Sequence, residues 1–239
     1  MRVAVISDIH ANLPALEATA EAIEREGVEQ VWCLGDLVGY GPHPNECCAW
    51  AQAHATVCLS GNHDLGVIGT LPLDDFAGDA AVAARWAQSV LGSDARAYLS
   101  ALPSGAVVEG VGLYHGSPRD PVWEYVLSLE AARDAIDDSG TDVTIVGHSH
   151  VPLSIPQEGT GGGHAPGGTE IDLAGSRWLL NPGSVGQPRD GDAQAAWLLL
   201  DVGRSASFRR TPYDVERTRA AIRAAGLPDA LAERLAHGV

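Results

Sequence analysis

Five short apolar runs in this chain each stop on a cluster of Asp, Asn or His, and that pattern limits the folds open to it. Residues 2–6 lead into Ser7-Asp8-Ile9-His10, residues 31–34 into Gly35-Asp36, and residues 56–59 into Ser60-Gly61-Asn62-His63-Asp64. Residues 111–114 lead into His115-Gly116, and residues 142–146 into Gly147-His148-Ser149-His150. Apolar runs this short, bounded by glycine and polar residues, read as buried strands. In α/β proteins ligands bind at the carboxyl ends of such strands, where loops converge and glycine lets backbone come close. The five clusters are therefore expected to meet. Asp8 and His10, two residues apart, would point to one side of an extended chain as a chelating pair.

Helical patterns separate the runs. Asn12 is expected to cap a helix with Pro14 in its first turn, an apolar stripe of Leu13, Leu16, Ala20 and Ile23, and Gly27 closing it. Further helices are expected at 44–54, 77–91, 94–102 and near 129–136, with strands at 107–109 and 111–114 joined through Gly110. From residue 152 the pattern turns to strand, at 152–156, 169–173, 178–180, 195–201 and 207–213, which suggests a meander; helices at 215–225 and 229–236 close the chain. Residues 159–168, with six glycines, read as a mobile hairpin loop. The expectation is one domain spanning 1–239, of α/β class, a four-layer α/β/β/α sandwich of two packed mixed sheets flanked by helices.

Charge narrows the function classes. Against 31 Asp and Glu stand 15 basic residues, every one an Arg, for a net charge of −16. With no Lys, a Walker-type phosphate loop, a Schiff-base enzyme and a kinase are excluded, since each needs a mobile ammonium or a deprotonable amine. The acidic surface disfavours duplex nucleic acid and anionic membrane as partners. Cys33, Cys47, Cys48 and Cys58 have neither C-x-x-C spacing nor a disulfide-framework pattern, and residues 2–6 are too short for a signal core, so a reduced, cytoplasmic protein is expected.

Taken in order, the clusters D-x-H, G-D, G-N-H-D, H and G-H-S-H resemble the calcineurin-like metallophosphoesterase superfamily over residues 8 to 150. Ser7-Asp8-Ile9-His10-Ala11-Asn12, the run from Gly35 to Pro42 and Asn181-Pro182-Gly183-Ser184 are similar to its small prokaryotic phosphodiesterase branch. The resemblance implies two divalent metal ions, one on Asp8, His10 and His150, the other on Asn62, His115 and His148, with Asp36 bridging. Imidazole, carboxylate and one amide suit Mn, Fe, Zn or Ni without distinguishing among them, and suit Mg or Ca poorly; Mn is the first expectation. It further implies that a hydroxide shared by the ions attacks phosphorus, with His63 as proton donor to the leaving oxygen and Asp64 orienting its ring.

Substrate contacts carry less sequence signal. Arg119 and Arg189, each in a Pro-Arg-Asp loop, are candidates for a bidentate phosphate clamp or for surface pairs with a neighbouring acid. Tyr40 would stack on an aromatic leaving group or wedge its loop. His43, His54, His164 and His237 are expected at surface or capping positions, and Asp190 and Asp192 as solvated turn carboxylates. The expected activity is hydrolysis of small phosphodiesters. A phosphomonoesterase, or a protein or dinucleoside-polyphosphate phosphatase, is the alternative in the same class, and a non-catalytic scaffold of the same fold is the alternative outside it.

Overall fold

The structure, a computed structural model, describes residues 1–159 and 161–239. The first half alternates strand and helix: β1 (Arg2–Ile6), α1 (Leu13–Glu26), β2 (Gln30–Cys33), α2 (Pro44–His54), β3 (Val57–Cys58), α3 (Asn62–Ile68), α4 (Gly78–Val90) and α5 (Ser93–Ser100). Next come β4 (Gly105–Val108), β5 (Val111–Tyr114), α6 (Leu129–Ser139), β6 (Val143–Ile145), β7 (Leu153–Pro156), β8 (Gly163–His164) and β9 (Glu170–Asp172). β10 (Trp178–Asn181), β11 (Ala195–Asp201), β12 (Ser205–Thr211), α7 (Val215–Ala224) and α8 (Asp229–Glu233) complete the chain. α1 begins and ends as its sequence specifies: the Asn12 side chain accepts from the Ala15 amide at 3.3 Å, and Gly27 closes it in the left-handed region.

One sheet runs β3-β2-β1-β11-β12-β9 and the other β4-β5-β6-β10-β7-β8, each mixing parallel and antiparallel pairs. β1 shows how the layers form. Val3 and Val5 pack with Val143, Ile145, Leu180 and Leu198 between the sheets, while Ala4 and Ile6 pack with Leu16 and Cys47 beneath α1 and α2. On the outer face of the second sheet, Leu179 and Ile155 bury against Ala132 and Ile136 of α6. The four-layer α/β/β/α class is borne out. Parallel neighbours β1, β2, β5 and β6 send their carboxyl ends to the loops that carry the Asp and His clusters.

The expected meander is not one. β9, β11 and β12 join the first sheet, whereas β7, β8 and β10 join the second. β10 pairs in parallel with β6, a long-range partner, and a strand buried on both faces carries no mark of its neighbour. α3 was not expected, because Gly66, Val67 and Ile68 are poor helix formers; the Asp64 carboxylate accepts from the Gly61 amide at 3.0 Å and starts the turn. In the glycine-rich stretch, Gly163 and His164 pair with β7, and Thr160 lies outside the described residues. No helix among the described residues is long and apolar enough to cross a membrane.

The packing predicts where stability resides. Leu113→Ala, fully buried between the sheets, should cost about 2–5 kcal/mol. Val107→Ala, 60% exposed at β4, should change stability by about 0.5 kcal/mol or less. Urea midpoints at unchanged slope measure both, and equal costs would contradict this layering.

Candidate functional site

Every ligand-type residue named from sequence sits at the end of a strand or the start of α3, and all are buried. The local backbone is not the extended one expected for Asp8 and His10. Asp8, His10, Asp36, His148 and His150 all take left-handed φ values, of 54°, 49°, 53°, 62° and 60°. Such a conformation costs a non-glycine residue about 1–3 kcal/mol, and it turns side chains inward where an extended strand would alternate them.

Crossing hydrogen bonds hold these loops in place. The amides of Asp8, His10 and Ala11 donate to the carbonyls of Gly35, Asp36 and Leu37 at 3.1, 2.9 and 2.8 Å. The segment Asn181 to Ser184 braces the far side. Asn181 Nδ2 donates to the Gly147 carbonyl at 2.7 Å, and Ser184 Oγ donates to the Asp8 carbonyl at 2.7 Å. Two residues on, a Cβ on Gly186 would lie 1.8 Å from the Ile9 carbonyl oxygen, so only glycine fits.

Three imidazoles are fixed by main-chain acceptors. His10 Nδ1 meets the Val38 carbonyl at 3.0 Å, His115 Nδ1 the Leu34 carbonyl at 3.1 Å, and His150 Nδ1 the Gln187 carbonyl at 2.6 Å. A carbonyl only accepts, so each Nδ1 carries the proton and each Nε2 presents a lone pair. Those lone pairs face one another. His10 Nε2 lies 3.0 Å from His150 Nε2, and His115 Nε2 lies 3.2 Å from both His148 Nδ1 and Asn62 Oδ1. Asp8 Oδ1 and Asp36 Oδ2 are buried with no hydrogen-bond partner. Asp36 Oδ2 stands 3.6 Å from His10 Nε2 and 3.4 Å from His115 Nε2, facing both groups.

This donor set fits divalent metal and little else. The residues fall into three overlapping groups, Asp8, His10 and His150; His10, Asp36 and His63; and Asp36, His115 and His148, beside which lies the Asn62 amide. Burial holds His10, His115 and His150 neutral, as ligands must be, and pushes His148 down to about 3. The Asp8 carboxyl is held well below the usual range, burial being outweighed by the rings of His150, His115 and His10 when they carry charge. Asp36 goes the other way: burial, with the charges of Asp64 and Asp8, pushes it well above. Lone pairs opposed at this range repel unless a cation lies among them.

Around the cluster the sequence expectations divide. The His63 ring packs against His10, Tyr40 and Phe76 at centroid distances of 4.9, 4.5 and 5.0 Å, with Nδ1 unpartnered and burial lowering its pKa. Asp64 does not orient that ring. Its carboxylate accepts the amides of Asp36 (2.8 Å), Val38 (3.2 Å) and Gly61 (3.0 Å), and so braces the loops beneath the ligands. Arg119, with a side chain 55% exposed, is spent on Glu124 and Asp134. Arg189 lies at the cluster, donating to Gln187 Oε1 at 2.8 Å and to Tyr40 Oη at 3.4 Å, with its guanidinium 5.8 Å from the Tyr40 ring centroid.

Tyr125 escaped the sequence reading. Its ring stacks on His148 at 3.9 Å and is 48% exposed; the only signal was an aromatic pair, Trp123 and Tyr125, in the loop after His115. Asp190 is a correction as well: its side chain is 4% exposed and paired with Arg210 and His164, because β12 runs alongside that turn. His43 stands at the N-cap position of α2 but its side chain makes no capping bond and its Nδ1 is buried without a partner, while His54 and His237 lie at the surface, as expected. Cys33, Cys47 and Cys48 are buried, and burial raises the Cys47 thiol; Cys33 is raised by a hydrogen bond to Cys58 as well as by burial.

Comparison with known proteins places this geometry. Residues 1–205 match the family model described as the calcineurin-like phosphoesterase superfamily domain. The crystal structure of a metallophosphoesterase from Sphaerobacter thermophilus superposes with a TM-score of 0.91 at 38% identity, covering all of both chains. An uncharacterized protein of Methanocaldococcus jannaschii is 37% identical over 98% of this chain and 96% of its own length. The phosphodiesterase YfcE of Escherichia coli is 25% identical over 84% of this chain and 88% of its own.

The brace at Asp64 is testable apart from catalysis. Asp64→Ala strips three backbone amides of their acceptor and should lower the stability of chelator-treated protein by about 3 kcal/mol or more, measured by urea unfolding. Unchanged stability, with the loss confined to activity, would return Asp64 to the role of orienting His63.

Proposed function

The chain belongs to the calcineurin-like phosphoesterase superfamily, and we propose that it hydrolyses small phosphodiesters with two divalent transition-metal ions. The observation that carries this reading is the Asp36 carboxylate, unpartnered and facing the Nε2 lone pairs of both His10 and His115. Asp8, His10 and His150 would hold one ion, Asn62, His115 and His148 the other, and Asp36 would touch both. Mn is the favoured metal, with Fe, Zn or Ni as alternatives. When bound, the ions supply Lewis acidity towards the phosphoryl oxygens and lower the pKa of water to about 7.

The chain's own residues do the rest. His63 donates a proton to the departing ester oxygen as the bond from phosphorus to that oxygen breaks and one to the attacking oxygen forms. Burial keeps the free imidazole neutral, so its protonated form depends on the anionic phosphate raising its pKa on binding. Arg189 lends a guanidinium to a non-bridging phosphoryl oxygen, held in position by Gln187 and Tyr40. Arg119 has no such part, since its charge is committed to Glu124 and Asp134. The net charge of −16 favours small esters over duplex DNA, which is expected not to be cut.

With Mn²⁺, kcat/KM for bis-p-nitrophenyl phosphate should exceed that for p-nitrophenyl phosphate. The reverse order would move the protein to the monoesterase class without touching the metal site. His63→Ala should keep its metal and lose about 10²–10⁴-fold in kcat on an alkyl ester, and far less on a p-nitrophenyl ester, whose leaving group needs little protonation. Equal losses on both would remove His63 as proton donor; loss of metal would make it a ligand.

A further inference from the structure

Four imidazoles belong to the ligand set, and one is held differently from the rest. His10, His115 and His150 are aimed by main-chain carbonyls on Nδ1. His148 instead turns Nδ1 towards His115 Nε2, at 3.2 Å, and its own Nε2 is buried with no hydrogen-bond partner among the described residues. Its main chain is secured, at a left-handed φ of 62° with the amide donating to Asp8 Oδ2 at 3.1 Å. The ring lacks that security, since no hydrogen bond to its outer nitrogen sets its rotation about the bond to Cβ. A metal-binding imidazole almost always has such a bond on its second nitrogen.

What covers that ring is Tyr125. The two rings stack with centroids 3.9 Å apart and planes at 26°, while the His115 ring meets His148 at 4.9 Å and 58°. An aromatic face in this near-parallel contact blocks the imidazole from swinging out of its plane. Tyr125 is itself 48% exposed, and a loose surface side chain could not do this; its neighbours in the chain are pinned on both sides. Before it, Asp120 Oδ1 accepts the Val122 and Trp123 amides at 3.2 and 3.0 Å, and the Glu124 carboxylate accepts from Ser117 Oγ and from Arg119. After it, Val126 is buried against Ala132, Ile136 and Val146. The pairing of Arg119 with Glu124 thereby acquires a use, since it fixes the residue that precedes Tyr125.

We propose that Tyr125 is a positioning residue for the second metal group: its ring face, in place of the missing hydrogen bond, keeps His148 Nδ1 turned to the ion shared with Asn62, His115 and Asp36. The inference rests on the two-metal reading and adds to it a side chain that touches no ion. The ring acts and the hydroxyl does not, since stacking uses the face alone. The group of Asp8, His10 and His150 lacks this dependence, because both its imidazoles have carbonyl partners of their own.

Equilibrium dialysis against graded Mn²⁺, with bound metal counted by elemental analysis, reads the two binding steps separately. Tyr125→Ala should weaken one step by about 10–100-fold, the usual effect of removing a partner that orients a ligand, and leave the other unchanged. The unchanged step should be the one that survives in His148→Ala. Tyr125→Phe, which keeps the face and drops the hydroxyl, should bind both ions as the wild type does, and so should Leu127→Ala, 64% exposed in the same loop. Wild-type affinity for both ions in Tyr125→Ala, equal weakening of both steps, or a loss in Tyr125→Phe or Leu127→Ala as large as that in Tyr125→Ala would overturn the positioning role. A wild type that takes up fewer than two ions would instead overturn the two-metal reading.

Discussion

The site depends on three backbone carbonyls. Val38, Leu34 and Gln187 each take the Nδ1 proton of an imidazole and so aim the Nε2 lone pairs of His10, His115 and His150 into one small volume. Two carboxylate oxygens in that volume have no proton donor to answer them. Such a set is electrostatically unfavourable by itself, and burial with the charges of Asp64 and Asp8 raises Asp36 well above its ordinary range. A cation converts the same arrangement from repulsion to coordination.

Holding the lone pairs there requires backbone that the side chains alone would not choose. Five ligand-type residues are left-handed, and their cost is met by bonds that tie each loop to the next. Asp64 belongs to this layer, as do Asn181 and Ser184: none reaches into the cluster, and each fixes a loop that does. The sandwich contributes a pair of adjacent parallel strand ends from each sheet, β1 with β2 and β5 with β6, and both faces of β1 are buried, so that the loops start from a rigid base.

Much of this was legible in the sequence, for identifiable reasons. Asn12, Pro14 and Gly27 mark α1 by local chemistry, and the observed helix starts and stops on them. The Asp and His clusters were legible as a set because their order along the chain follows the order of strand ends. Partner choice of β10 was not, since a doubly buried strand carries no label. The left-handed turns at Asp8 and His10 were hidden too, because no glycine marks them and the bonds that stabilise them come from residues 35 to 37. Tyr125 acquires meaning only from what it packs beside, the His148 ring.

The central claim, that Asp36 joins two metal groups, is tested most directly by counting metal. Elemental analysis of protein stripped by chelator and reconstituted with Mn²⁺ should find two ions per chain in the wild type, and a clear loss from Asp36→Ala, since one carboxylate faces both groups. A wild type that binds none, or an Asp36→Ala protein that retains two, would contradict the account.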